Sequence, residues 1–205
     1  IGGLPELAGV SVSSHAVSIG ASVTHAELAR AVQGLPDLAA LSTAAAKSAN
    51  PAIRQMATVG GNLCTTAFAA ADLLPALLCL SASVELAIGG ETRSLPLERF
   101  LAERDGFSGI LLRVVVPRQG RRSAHARLPL KKAGDYPVAI VSASVTLDDA
   151  GCIADPIIVV GAVEQMARRW RGLETQLAGT HPVPGEMAAI AAAHTDEFSG
   201  RDGIE

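Results

Sequence analysis

The alternation of apolar and polar positions divides this chain into short strands and short helices. Residues 17–21, Val-Ser-Ile-Gly-Ala, alternate with period two, as a strand with one buried face does. Short apolar segments at residues 4–7 and 10–12 precede it. Thr24 with Glu27 three positions on has the spacing of a capping box, which predicts a helix running to about Val32 and closed by Gly34. Pro36-Asp37 opens a second helix over 38–48, and Asn50-Pro51 ends it, because the proline ring disfavours a helical conformation in the residue before it. Residues 53–59 read as a β-type run that enters a turn at Gly60-Gly61, and the small residues 65–71 read as a loop. Asp72 is placed as N-cap of an apolar helix over 73–80, with Pro75 tolerated in its first turn.

Further on, Gly89-Gly90-Glu91 between two alternating runs predicts a β-hairpin. Residues 97–101 suggest a single helical turn, and the β-branched run 110–116 a buried strand ended by Pro117. The polar stretch 118–123 reads as a solvated linker and a domain boundary. Beyond it, strands are expected at 126–132, 139–147 and 157–163, with a turn at 148–151 and helices over 168–177 and 184–194. The expected class is α+β. Residues 1–120 would form one domain, a mixed or antiparallel sheet with helices. Residues 121–205 would form a small domain of antiparallel sheet covered by helices on one face.

Composition narrows the picture. Hydrophobic residues make up 49% of the 205 and aromatics only 3%, so the core must be built from Ala, Val, Leu and Ile. Net charge is −3 with basic residues scattered, which argues against a nucleic-acid partner. No apolar run approaches the roughly 18 residues of a membrane helix. The three cysteines, Cys64, Cys79 and Cys152, lack any Cys-x-x-Cys spacing, so neither a zinc site nor an iron–sulfur cluster is expected on this chain. Their odd number points to a reducing compartment, the cytoplasm. The chain opens without Met and has no closing element, which predicts further segments beyond both ends.

Catalytic signatures are missing: no G-x-G-x-x-G, no lysine-bearing phosphate loop, no H-E-x-x-H, no G-x-S-x-G. His15, His25, His125, His181 and His194 lie apart and read as surface residues. Any redox or group-transfer chemistry must therefore reside in a bound cofactor. Gly60-Gly61 is the one local hint. Lacking Cβ, such a pair lets a bulky anion approach the backbone, although an ordinary turn is the commoner meaning.

The run Asn50-Pro51-Ala52-Ile53-Arg54-Gln55-Met56-Ala57-Thr58-Val59-Gly60-Gly61-Asn62-Leu63-Cys64 is more specific. With Ala70-Ala71-Asp72-Leu73-Leu74-Pro75 after it, Ile19-Gly20-Ala21 and Thr24 before it, and Gly134-Asp135-Tyr136-Pro137 downstream, it resembles the FAD-binding (medium) subunit of molybdenum hydroxylases. That family includes the carbon monoxide dehydrogenase medium subunit and the flavin domain of xanthine dehydrogenase. The resemblance spans nearly the whole chain in order.

The resemblance implies FAD on this chain, with the pyrophosphate against residues 58–62: a hydroxyl from Thr58, unobstructed N–H groups from Gly60 and Gly61, and an amide from Asn62, with Val59 and Cys64 in the same run. Asp72 would accept from cofactor hydroxyls, and Leu111 would pack on the adenine. Arg127, Lys131 and Tyr136 would neighbour the isoalloxazine. No residue of this chain is expected to be catalytic, and no metal is expected on it. Implied partners are a small subunit with two [2Fe–2S] clusters and a large molybdopterin subunit, in a dimer of heterotrimers that delivers electrons to NAD, a quinone or oxygen. Two departures stand out. The loop Thr66-Ala67-Phe68-Ala69-Ala70-Ala71 lacks the family's Ser-Pro, and the family's other glycine loop would lie before Ile1. Two rivals are a stand-alone flavin oxidoreductase and a scaffold that has lost its flavin.

Overall fold

Period-two alternation produces a five-stranded sheet in the first half of the chain. Its strands are β1 (Val10–Val12), β2 (Ala16–Gly20), β3 (Ser83–Ile88), β4 (Glu91–Pro96) and β5 (Ile110–Pro117), in the order β1-β2-β5-β3-β4 with every neighbouring pair antiparallel. These are seen in a computed structural model that describes residues 4–66, 68–131 and 135–201. Ala67 of the expected loop, Lys132 at the end of an expected strand and Gly134 of the Gly-Asp-Tyr run lie outside the described residues. Between β3 and β4, Ile88 pairs with Glu91, so Gly89 and Gly90 form a two-residue turn with φ of 59° and 86°. Glycine takes such positive angles without a Cβ penalty, and the hairpin expectation holds.

The sheet buries Val17, Ile19, Val84, Leu86, Val114 and Val116 against helices. These are α1 (His25–Ala31), α2 (Ala39–Lys47), the short α3 (Pro51–Arg54) and α4 (Val59–Cys64), α5 (Leu73–Cys79) and α6 (Leu97–Glu103). Leu28, Leu41, Ala44, Leu73 and Leu77 are fully buried in the same core. Thr24 and Glu27 form the expected capping box. At seven residues α6 is longer than the single turn expected, because Leu97, Phe100 and Leu101 give it an apolar stripe to bury.

A second antiparallel sheet follows: β6 (Arg122–Pro129), β7 (Pro137–Val145), β8 (Ile157–Gly161) and β9 (Arg168–Arg169), in that order. Every residue of β8 is buried, and its side chains serve two cores. Ile157 and Val159 join the first-half core with α5, while Ile158 and Val160 pack with Trp170 and with Leu173 and Leu177 of α7 (Arg171–Leu177). Ile190 of α8 (Pro184–Ala192) closes that second core. The chain's own C-terminal helices cover one face, as expected, but α2 and α5 occupy the other. The continuous apolar run Ile-Ile-Val-Val is the pattern of a strand buried on both sides.

Four local expectations are corrected. Residues 53–59 are not a strand: Asn50 caps α3 through its side-chain oxygen (3.0 Å from the Ile53 N), and Thr58 makes only an isolated bridge to Thr24. Gly60 and Gly61 lie inside helix α4, not in a turn. Residues 118–123 are not a solvated linker. Arg118 pairs with Asp37 at 2.8 Å, and Arg121, 6% exposed, bonds Ser144 and Asp155. Arg168 and Arg169 belong to β9, so the helix expected from Arg168 begins at Arg171. No helix among the described residues is long and apolar enough to cross a membrane.

Candidate functional site

Helix α4 begins where Thr58, in extended conformation, turns its hydroxyl oxygen back to accept from the Gly61 N–H at 3.0 Å. Its other early amides are also engaged. Val59 N–H donates to the Val23 carbonyl, Gly60 N–H to the Ala21 carbonyl at 2.8 Å, and Asn62 N–H to the Thr58 carbonyl. The expectation of unobstructed N–H groups at Gly60 and Gly61 is therefore corrected: a helix N-terminus docked on the end of β2 has already satisfied them. The two glycines do different work. A Cβ on Gly60 would stand 2.8 Å from the Ala21 oxygen and 3.1 Å from its Cβ, so Gly60 is what lets α4 reach β2. Gly61 is exposed, and a Cβ there would meet only the Thr58 hydroxyl, at 3.1 Å. Among the described residues, the Thr58 hydroxyl is what stands nearest the open side of Gly61, and a ligand approaching from there meets backbone.

Asn62 accepts from the Leu73 N–H through its side-chain oxygen (3.3 Å), which ties α4 to the start of α5. That leaves its amide nitrogen without a partner among the described residues. Val59 is fully buried and presents no side chain to a ligand, while Cys64 is exposed at the last position of the helix. Arg104 holds that end, donating to the Leu63 carbonyl at 2.7 Å. Nothing in its sequence surroundings marks it.

Asp72 does not cap α5. Its backbone is already helical (φ −59°, ψ −33°) and Asn62 takes the capping role, so the carboxylate is free to turn to Arg127, 2.7 Å away. Both side chains are almost wholly buried. Burial pushes the Asp72 carboxyl up to about 6, with the Arg127 guanidinium pulling the other way. Arg127 also donates to the Asp135 carbonyl. Around this pair lies a cavity of about 360 Å³ walled by Asn50, Ile53, Phe68 and Tyr136. Tyr136, 53% exposed, stands edge-on to Phe68 with ring centroids 6.1 Å apart.

Of the residues expected at the site, Asp72, Arg127 and Tyr136 thus come together, and Thr58, Gly61 and Asn62 adjoin them through the Asn62–Leu73 bond. Leu111 sits in the core on β5, 7% exposed, and Lys131 is exposed just beyond β6; neither lines the cavity. Asn50, Phe68 and Asp135 are not among the expected site residues, although Asn50 and Asp135 stand in the runs that carry the resemblance and Phe68 is a lone aromatic among small residues. Of two histidines expected at the surface, one is buried and the other half-buried. His25 is 3% exposed and bonds Ser48 at 2.7 Å, and His125 bonds Ser142 at 2.8 Å. Burial lowers both to about 4; Arg54 adds to the shift at His25, and Arg127 and Lys47 add to it at His125.

Residues 1–119 match the family model for the FAD binding domain in molybdopterin dehydrogenase. The chain is 35% identical over 165 residues to the 6-hydroxypseudooxynicotine dehydrogenase complex subunit alpha of Paenarthrobacter nicotinovorans, covering 77% of this chain and 55% of that one. It is 27% identical over 186 residues to the nicotinate dehydrogenase FAD-subunit of Eubacterium barkeri, covering 86% and 62%. The chain thus spans between 55% and 62% of the length of these relatives. Quinoline 2-oxidoreductase from Pseudomonas putida 86 superposes with a TM-score of 0.83 at 25% identity, over 97% of this chain and 70% of the other. Carbon monoxide dehydrogenase from Hydrogenophaga pseudoflava shares the fold, with a TM-score of 0.85 at 24% identity over 99% and 72%. This chain belongs to the family of FAD-binding domains of molybdopterin dehydrogenases.

Proposed function

We propose that this chain is the FAD-binding electron-transfer component of a cytoplasmic oxidoreductase complex, with a [2Fe–2S] small subunit and a molybdopterin large subunit as partners, in a dimer of heterotrimers. The observation that carries the reading is the run from the open backbone at Gly61 to the cavity around Asp72, Arg127 and Tyr136, in a chain of this family. FAD, when bound, supplies the redox chemistry, taking electrons from the clusters and passing them to NAD, a quinone or oxygen.

Every other role falls to this chain's own residues. The hydroxyl of Thr58 and the amide nitrogen of Asn62 donate to phosphate oxygens, and Gly61 keeps the approach clear. Asp72 spends one oxygen on Arg127 and keeps the other to accept from cofactor hydroxyls. Arg127, anchored by Asp72 and Asp135, places a fixed cation in the cavity, and Phe68 with Tyr136 supplies an aromatic wall for a flat ring. Val59 and Leu111 support the site from the core without facing the cavity, and Cys64 and Lys131 lie exposed outside it. In this reading residues 1–120 form the FAD-binding domain and residues 121–205 the second domain, whose β6 brings Arg127 to the cofactor.

The test is flavin retention. Full-length protein reconstituted with FAD is expected to hold it, and Gly61→Val to lose its visible absorption while keeping its far-UV circular dichroism. Normal flavin content in Gly61→Val refutes the placement. A native protein that purifies alone, without iron–sulfur clusters, refutes the complex.

A further inference from the structure

One buried imidazole is left unused by the proposed function. His25 is the first residue of α1, and it meets both ends of residues 48–58, the stretch that supplies Ala49, Asn50 and Ile53 to the cavity wall. At the near end its Nδ1 stands 2.7 Å from the Ser48 hydroxyl oxygen. At the far end its backbone N–H donates to the Ala57 carbonyl at 2.9 Å, and Thr24 just before it bridges to Thr58. The Thr58 carbonyl lies beside the ring and favours its protonated form, but burial outweighs that pull and keeps the imidazole neutral near pH 7.

A neutral imidazole carries one N–H, and its partners decide which nitrogen bears it. Ser48 has a single hydroxyl hydrogen and two acceptors in reach, His25 Nδ1 at 2.7 Å and the Ala45 carbonyl at 3.2 Å. Donation to the nearer one places the ring proton on Nε2. That nitrogen is buried and has no hydrogen-bond partner among the described residues. A buried N–H left in that state is costly. With Nδ1 taken by Ser48, Nε2 is the ring atom left to meet the Thr58 carbonyl. This carbonyl already accepts from the Asn62 N–H at 3.0 Å and has a second lone pair to offer. Thr58 is also the residue whose hydroxyl caps α4. Ser48, which orients the ring, is held in turn by Arg54, whose guanidinium donates to the carbonyls of Ser48 (3.0 Å) and Ala49 (2.7 Å).

We propose that His25 is a positioning residue of the flavin site: its Nε2–H closes onto the Thr58 carbonyl when the cofactor docks, and so fixes the first turn of α4 and the Thr58 hydroxyl against the phosphates. The inference rests on the proposed function, which puts the pyrophosphate on that turn. His25 does not touch the cofactor; it acts through Thr58.

The test combines nitrogen-15 NMR of the imidazole in the full-length protein, before and after FAD loading, with FAD affinity of two variants by equilibrium dialysis. The His25 signal, assigned by its loss in either variant, is expected to report the Nε2–H tautomer and to move on loading. The Nδ1–H tautomer, or a signal that FAD leaves in place, overturns the inference. His25→Gln carries an amide out to the position of Nε2, whereas His25→Asn reaches only that of Nδ1. His25→Asn is expected to weaken FAD about tenfold, and His25→Gln to stay within about threefold of the unmutated protein. Equal losses in the two variants would make the role one of packing alone and overturn the inference, as would no loss in either. Should both variants fail to fold by far-UV circular dichroism, the NMR of the unmutated protein decides. An unmutated protein that does not hold FAD refutes the proposed function and this inference with it, while unaltered FAD affinity in His25→Asn overturns this inference alone.

Discussion

Gly60 and Gly61 are neighbours in one helix, yet substituting them should damage different things. At Gly60 an alanine Cβ would be built 2.8 Å from the Ala21 carbonyl oxygen and 3.1 Å from the Ala21 Cβ. Relieving that contact moves α4 away from the end of β2, an overpacking cost of about 1–3 kcal/mol. The shift also strains the 2.8 Å bond from the Gly60 N–H to the Ala21 carbonyl, worth about 1 kcal/mol. Alanine is the better helix former and returns about 0.8 kcal/mol. The net expectation for Gly60→Ala is a loss of about 2 kcal/mol, or about 4–8 °C in melting temperature for a protein of this size. At Gly61 the neighbour met among the described residues is the Thr58 hydroxyl at 3.1 Å, a side-chain atom on an exposed edge that can yield by a few tenths of an ångström. Gly61→Ala should therefore stay within about 1 kcal/mol of the unmutated protein in stability, with helix propensity offsetting the contact. Its effect should appear in flavin retention. Urea unfolding of the flavin-free proteins, followed by far-UV circular dichroism, separates the two. Gly60→Ala melting with the unmutated protein refutes the close approach of α4 to β2. Gly61→Ala falling as far as Gly60→Ala refutes the division of labour.

Acid should destabilise the fold below neutrality. Burial lowers His25 and His125 from 6.5 to about 4, so as pH falls the unfolded chain takes up their protons first. Their contribution is complete above pH 6.5 and is lost as pH falls towards 4, at about 3 kcal/mol each. Asp72, raised from 3.8 to about 6, works the opposite way: its contribution is full below pH 3.8 and is lost as pH rises through 6. Two histidines outweigh one aspartate, leaving a net loss of about 3–4 kcal/mol between pH 6.5 and 4; urea midpoints that stay level over that range contradict it. Arg104→Ala removes the donor that holds the Leu63 carbonyl and should fray the end of α4, at about 1 kcal/mol in stability and several-fold in FAD affinity. Undiminished FAD affinity in that variant, measured by equilibrium dialysis, would show that the helix end does not matter to the site.

Much of the fold could be read from local pattern, because local pattern is where its physical cause lies. The capping box at Thr24 and Glu27, the two-glycine hairpin at Gly89-Gly90 and the strand β5 each depend on residues a few positions apart. The resemblance carried by residues 50–64 reached the family for a related reason: the run is contiguous and survives as text. What failed was whatever depended on a distant partner. Residues 53–59 have strand-like composition, but Asn50, Pro51 and the contact of Thr58 with Thr24 make them a short helix and a bridge. Asp72 looks like a helix cap until Arg127, 55 positions away, claims its carboxylate and Asn62 supplies the cap instead. Arg118 and Arg121 read as a solvated linker because Asp37, Ser144 and Asp155 are not beside them in the chain.

The sequence by itself therefore determined the elements with local causes, the family, and the stretch that bears Thr58, Gly61 and Asn62. Only the tertiary structure decided that Gly60 serves packing while Gly61 faces outward, and that His25 lies buried against Ser48 and Thr58. Close approach and burial are properties of neighbours in space. A linear order of residues does not carry them.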